Sequence, residues 1–512
     1  MQPLEQSRRV ARVDTGVEGL DVVLRGGLPS RRLHLVYGRP GVGKTTLALQ
    51  FLLAGAERGE PGVYVALSET EEEIRDIARS HGWTLPADLH LCDFQRPEGD
   101  DEGGYTLFHP SEIELTDTTR RILETMERVR PKRVVFDSLS EMRLMARDSL
   151  RYRRQVLALK QYFAEQGATV MMLDTRLTVD SGEFQLETLA HGVLVLEQVA
   201  QHYGDSRRRI RVEKMRGVSF TEGYHDCRIT TGGLVVYPRL TAFVPEDELI
   251  APGASQASSG LPELDALTGG PLDRGTTTMI IGPAGVGKST LVTRYVLAAL
   301  ERGERCAVFL FDEEPGKWKL RARWLGVDIE PYLASGLLLL RYVNPAELTP
   351  GEFAFIIRDV EAAGARVLVV DSFNGYRSSM PEESYLTLHL HELFTYLNRK
   401  GVLTLVVAAQ HGFIGEGMDE PFKLSYLADT VLILRYFEAF GRVRKAVAAI
   451  KRRTGHHEQY IRELELGANG LHVGDALRDF TGILAGELTY HGHEERLFTD
   501  GRAEAEAGET RR

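Results

Sequence analysis

Gly38-Arg39-Pro40-Gly41-Val42-Gly43-Lys44-Thr45 fits the pattern G-x-x-x-x-G-K-[ST], and it returns as Gly282-Pro283-Ala284-Gly285-Val286-Gly287-Lys288-Ser289. Glycines here let successive backbone N–H groups close around phosphate oxygens, the Lys reaches the terminal phosphates, and the Thr or Ser hydroxyl ligates Mg2+. The pattern has this meaning only between a strand and a helix. Residues 33–37 and 278–281 are short apolar, β-prone runs, and 47–56 and 291–300 read as helices. Thr46 and Thr290 stand at the helix starts, where the helix dipole favours an anion. Both copies therefore predict a bound nucleotide with its Mg2+.

The loop marks a longer duplication. Lys44 and Lys288 stand 244 residues apart, as do Glu69 and Glu313, and Leu20-Asp21 and Leu264-Asp265. The interval is 234 between Asp137 and Asp371 and 237 between Lys214 and Lys451. Register kept over that span means two copies of one domain separated by small loop insertions. Strands apolar on both faces alternate with helical stretches, which predicts an α/β fold with a mainly parallel sheet covered on both sides. Shorter β-like runs from residue 193 onward predict an antiparallel extension, and residues 15–28 a short lid. The expected layout is a first domain over 1–245, a Pro-, Ser- and Gly-containing connector over 246–260, a second domain over 261–488, and a charged tail over 489–512.

Of the 512 residues 43% are hydrophobic and 26% charged, ordinary for a core-forming chain, and the net charge of −11 argues against nucleic acid as partner. The best DNA candidate, Arg151-Tyr152-Arg153-Arg154, reads better as a solvated helix face. The three cysteines, Cys92, Cys227 and Cys306, are scattered without metal-ligand spacing, and no apolar run nears the ~20 residues of a membrane helix. The expectation is a cytoplasmic protein with no membrane partner.

Hydrolysis needs acids beyond the loops. Asp137 and Asp371 end the apolar strands VVFD and LVVD, where an acid supports Mg2+ alongside Thr45 and Ser289. Glu69 and Glu313 each follow the next strand, 25 residues after the loop Lys, and are the candidate bases for the attacking water. The residue before each differs: Ser68 in the first copy, Asp312 in the second. The halves are thus expected to be chemically unequal, with Asp312 and Glu313 a catalytic carboxylate pair that leaves the second better equipped to activate a hydroxyl or water. Asp174-Thr175-Arg176 and Gln410-His411 end the following strands and are candidate γ-phosphate sensors. Lys214 and Arg216, then Lys451 and Arg453, are spaced i, i+2 after an apolar run, a spacing that points both side chains of a strand the same way. In a ring they would reach a neighbour's phosphate.

Taken together, GRPGVGKT and GPAGVGKS, YVALSET and FLFDEE, and KMRG and IKRRTG resemble the KaiC family of circadian-clock ATPases and autokinases and their bacterial and archaeal relatives, from about residue 15 to 488. The resemblance implies tandem RecA-like domains, ATP as the nucleotide, and a homo-hexameric double ring with ATP between subunits. It implies that Lys214, Arg216, Lys451 and Arg453 touch ATP held by a neighbour, and that a KaiB-like or histidine-kinase signalling partner reads the assembly. The family's paired acids fall on Ser68-Glu69 and Asp312-Glu313; its acceptor Ser-Thr pair falls on Ser425-Tyr426, leaving Ser425 as the one phosphoacceptor. Residues 477–488 resemble the family's C-terminal loop. Two other readings stay open here: a DNA-dependent RecA- or DnaB-like ATPase, and a nucleotide-gated scaffold with little turnover.

Overall fold

The computed structural model describes residues 10–93, 111–146, 149–175, 186–200, 205–243, 255–344, 346–378, 383–410, 425–439, 441–467, 470–484 and 488–492. The chain separates into two compact units, Met1–Phe243 and Val244–Arg512. Among the described residues each unit is built on a nine-stranded sheet.

In the first unit the order across the sheet is Gly233–Tyr237, Tyr224–Thr230, Arg207–Met215, Gly192–Val199, Leu33–Tyr37, Thr169–Asp174, Arg133–Asp137, Gly62–Ala66 and Leu89–Asp93. The last six are mutually parallel; the first three run antiparallel to their neighbours. The extension therefore begins at Arg207, later than the sequence predicts, because Gly192–Val199 pairs in parallel with Leu33–Tyr37. Alternation sets the two layers. On Arg133–Asp137, Val135 packs with Leu47 and Phe51 of helix Lys44–Ala56, while Val134 and Phe136 face Tyr152, Val156 and Phe163 of helix Ser149–Gln166. That second layer turns Tyr152 inward, so the basic run 151–154 lies on a core-packing helix.

The second unit repeats the plan in the order Leu338–Tyr342, Cys306–Leu310, Val367–Asp371, Leu403–Ala409, Thr277–Gly282, Thr430–Ala439, Arg442–Arg452, Arg462–Gly467 and Gly470–Ala476. Helix Lys288–Glu301 follows its loop strand as Lys44–Ala56 follows the first. Helix Leu139–Ala146, which the sequence reading lacks, is short and buries Leu139, Met142 and Ala146 along one side.

The stretch expected as a lid is instead part of the core. Val17, Leu20, Val23, Leu24 and Leu28 are buried, and Asp21 accepts from the Thr15 N–H at 3.0 Å and the Thr15 hydroxyl at 2.9 Å. Gly19 sits at φ 79°, where a Cβ would stand 1.9 Å from the Val236 carbonyl oxygen, so only Gly fits. The second unit rebuilds the clip: Ser259 N–H donates to Asp265 at 2.9 Å, and Gln256–Ala257 pairs with Leu272–Asp273 as Arg12–Val13 pairs with Leu28–Pro29. Residues 256–257, at the end of the stretch read as a connector, thus form a strand. Most of that connector and the tail from 493 onward lie outside the described residues.

One buried group distinguishes the units. Arg133, 1% exposed, donates to Glu60 (2.7 Å), to the Asp14 carboxylate (2.6 Å), and to the carbonyls of Asp14 and Phe51 (both 2.8 Å). Gly55 makes room for it: a Cβ there would lie 2.5 Å from Arg133 Cδ. At the matching positions the second unit has Val367, Ala299 and Ser258 in place of Arg133, Gly55 and Asp14. Its remaining acid, Glu304, turns to Arg274 at 2.6 Å and Arg302 at 3.0 Å.

Candidate active site

Residues from several strand ends meet at one edge of the first sheet. Leu33–Tyr37 delivers the loop, which turns through Gly41 and Gly43 at φ 81° and 107° into its helix. Lys44 Nζ donates to the Gly38 carbonyl at 2.8 Å and the Arg39 carbonyl at 3.2 Å, and burial lowers its pKa. Thr45 Oγ1 donates to Asp137 Oδ2 at 3.0 Å, and the Tyr64 hydroxyl donates to the same oxygen at 2.5 Å. The Leu67 N–H donates to the Asp137 carbonyl at 2.7 Å, levelling the two strand ends and bringing Glu69 to the same edge. Burial, then the charge of Asp137, raises the Glu69 carboxyl, while the Ser68 hydroxyl donates to it at 2.8 Å and opposes the shift.

The second unit has the same frame with other contacts. Gly285 and Gly287 turn at φ 75° and 116°. Lys288 Nζ donates to the Pro283 carbonyl at 2.7 Å, and burial lowers its pKa to about 8. Phe311 N–H donates to the Asp371 carbonyl at 2.7 Å, as Leu67 does to Asp137. The two acids after it diverge: Asp312 accepts the Ser372 hydroxyl, and Glu313 Oε2 accepts Arg321 Nη2 at 2.7 Å. Gly375 permits the Asp312 position, since a Cβ there would lie 2.7 Å from its Oδ1. The peptide after each strand-end acid, Asp137-Ser138 and Asp371-Ser372, is cis.

A hydroxyl and a carboxylate beside each loop suit Mg2+, which keeps several waters and takes one or two carboxylates plus phosphate oxygens. Among the described residues no group of three or more His, Cys, Asp or Glu side chains is gathered to cage a metal. Thr45 with Asp137, and Ser289 with Asp371, are the residues that would hold the ion. Burial raises the Asp371 carboxyl to about 6, opposed by a hydrogen bond from Ser289 and reinforced by Glu313. Protons and Mg2+ then compete for the same oxygen. Mg2+-dependent nucleotide affinity of the second unit should fall as pH drops below about 6, nearing tenfold per unit at lower pH. Titrating a fluorescent ATP analogue at fixed Mg2+ between pH 5 and pH 8 measures it; Asp371→Asn should flatten the dependence.

Asp174, expected as a phosphate sensor, is fully buried and already bound. Its carbonyl accepts the Gly38 N–H at 3.3 Å, and its carboxylate accepts from Arg143 at 2.7 Å and Ser140 at 2.9 Å. It anchors the first residue of the loop. Gln410 N–H donates to the Gly282 carbonyl at 3.0 Å in the second unit. Arg176 and His411 lie outside the described residues.

The basic pairs stand at the other edge of the sheet. Lys214 is level with Val193 and Met215 with Gly192, where the parallel strands begin. Lys214 donates to the Glu187 carbonyl and Arg216 to the Thr188 carbonyl at 2.9 Å; Lys451 donates to Ser425 (2.9 Å) and Ala428 (2.7 Å), and Arg453 to Tyr426. Arg216 and Arg453 sit one residue past their strand ends, and both side chains of each pair reach carbonyls of one loop. A bulge lies just before each Lys, shifting register at Val193/Leu194 and at Val431/Leu432.

A family model of the KaiC ATPase matches residues 13–241 and again 257–478. The chain belongs to the KaiC family. It is 27% identical over 495 residues to the circadian clock protein KaiC3 of Synechocystis sp., covering 95% of this chain and 96% of that one. It is likewise 27% identical over 502 residues to the circadian clock oscillator protein KaiC of Synechococcus elongatus, covering 94% and 93%. The two units are thus tandem RecA-like domains of a KaiC-type ATP-binding protein. Among the described residues no helix is long and apolar enough to cross a membrane.

Several contacts of this KaiC-family site escaped the sequence reading. Tyr64 is hidden inside an apolar strand. Ser372 had a signal, the Asp-Ser dipeptide repeated at 137–138 and 371–372. Arg321 had only its distance from Glu313, two helical turns along the next helix.

Proposed function

We propose that this KaiC-family protein is a ring-forming ATPase whose second unit also transfers phosphate to Ser425 of a neighbouring copy. The supporting observation is the separation of parts within one unit. The loop and Glu313 lie where the parallel strands end; Ser425, Lys451 and Arg453 lie where they begin. Thr277 N–H binds Asp429 at one end of strand Thr277–Gly282, and the phosphate loop starts at the other. The five steps along these six residues, at about 3.3 Å each, put ~17 Å between them, too far for a unit to serve its own phosphate. Two copies meeting edge to edge bring one copy's loop to the next copy's cations and serine.

Bound ATP supplies the electrophilic γ-phosphorus. In hydrolysis Glu69 or Glu313 takes the proton of the attacking water, whose oxygen forms the new P–O bond as the β–γ bridge breaks to ADP. Lys44 and Lys288 neutralise terminal phosphate charge on their own copy, and Lys214, Arg216, Lys451 and Arg453 do so across the interface. In transfer the Ser425 hydroxyl replaces water and Glu313 of the ATP-holding copy takes its proton. Ser425 is half-buried in a short turn whose carbonyl holds Lys451, and Tyr426 beside it gives one acceptor where the family has two. This serves a signalling or timing role, with a KaiB-like or histidine-kinase partner reading the phosphorylated state.

Mixing decides it. Lys288→Ala and Ser425→Ala proteins incubated separately with Mg2+ and γ-labelled ATP should leave Ser425 sites unlabelled, and the exchanged mixture should label them by peptide mass spectrometry. Wild-type protein with no phosphate on Ser425, or Ser425→Ala protein labelled as fully as wild type, would refute the transfer. Mass measurement with and without ATP checks the hexamer.

A further inference from the structure

We infer that Arg321 is a positioning residue that latches Glu313 away from base duty and sets the pace of the second unit. The inference rests on Glu313 being the base proposed above. Arg321 and Glu313 are joined at 2.7 Å with side chains 18% and 19% exposed, so water screens the pair weakly. The contact is half made. Glu313 Oε1 and Arg321 Nη1 are both buried without a hydrogen-bond partner among the described residues, although a guanidinium and a carboxylate can pair through two parallel bonds. An ion pair engaging one oxygen of a base occupies that oxygen and fixes where the carboxylate points. Glu313 must release the guanidinium before it can take a proton from water or serine.

The first unit shows the alternative. The position matching Arg321 is Ile77, and Glu69 is restrained by the neutral Ser68 hydroxyl. The helices that carry these residues also differ at the end next to the acid. Glu71–Ser80 begins with a capping box between Thr70 and Glu73, whereas Pro315–Trp324, which carries Arg321, has no side-chain cap and starts with Pro. Neutral restraint leaves the first unit's base ready; the cationic one holds the second unit's base out of use until the pair opens.

Turnover is measured in the full-length chain carrying Glu69→Gln, so the second unit alone reports. Arg321→Ile, which copies the first unit, should raise kcat about three- to tenfold with KM for ATP unchanged, and Arg321→Lys should fall between. The second readout needs no turnover: a thermal-midpoint double-mutant cycle of Arg321→Ile and Glu313→Gln. It should show coupling that remains with Mg2+ and a non-hydrolysable ATP analogue, because a kcat effect requires the pair to be closed in the nucleotide-bound ground state. An unchanged or lower kcat in both Arg321 variants, or coupling absent with the analogue, overturns the latch and leaves the base assignment standing. Turnover retained by Glu69→Gln/Glu313→Gln protein instead removes the base assignment and the latch with it.

Discussion

Protein carrying both Glu69→Gln and Glu313→Gln should bind ATP at near wild-type affinity and turn it over about 10²- to 10⁴-fold more slowly. The amide keeps the shape and hydrogen-bonding reach of each side chain and loses only the capacity to take a proton. The loop contacts that would hold phosphate, from Lys44, Thr45, Lys288 and Ser289, are untouched. Phosphate release measured beside bound-nucleotide stoichiometry separates the two quantities. The single variants apportion the loss. If Arg321 restrains Glu313 as inferred, Glu69→Gln costs the larger share of basal hydrolysis and Glu313→Gln the larger share of label on Ser425. Binding lost in parallel with turnover would show that the carboxylates support the site and do not perform the proton transfer.

The largest loss of stability should come from Arg133→Met, about 3–5 kcal/mol. The aliphatic replacement fills the space but leaves Glu60 without its buried cation and Asp14 with only the exposed Arg58 at 3.0 Å, and removes the guanidinium N–H donors from the Asp14 and Phe51 carbonyls. Calorimetry should show the first-unit transition moving down while the second stays. The second unit supplies the compensation. Arg133→Val combined with Gly55→Ala and Asp14→Ser reproduces Val367, Ala299 and Ser258, and should recover much of the loss. Because these side chains touch, the three changes should be strongly non-additive. An additive outcome would mean that the buried arginine contributes little beyond its volume.

What could be read from residues alone was whatever repeats or alternates. The twin loops, their register with Asp137 and Asp371, and the double-faced strands gave two α/β units and put each acid at the correct strand end. Contacts that depend on where separate segments meet left no such trace. Asp174 looks like an exposed strand-end acid, yet Arg143 and Ser140 from a helix the sequence does not announce bury and bind it. The spacing of the Lys-Arg pairs could be read, but the loop carbonyls that hold them and the bulged residue before each Lys could not. Asp312-Glu313 read as a cooperating pair, and the fold sends the two to different partners, Ser372 and Arg321. The first half's buried Arg133 gave no warning either, since an Arg opening an apolar run reads as a strand's solvated end.

The division of each unit between its two sheet edges also has a genetic meaning. A productive site, on the assembly proposed, draws its phosphate loop from one gene copy's product and its cations or serine from another's. An allele that spoils both edges, such as Lys288→Ala with Ser425→Ala, would not merely dilute the normal protein. With equal expression of the two alleles and random mixing, only about a quarter of neighbouring pairs are normal on both sides. Such an allele would be dominant, and alleles defective at opposite edges would complement one another in part.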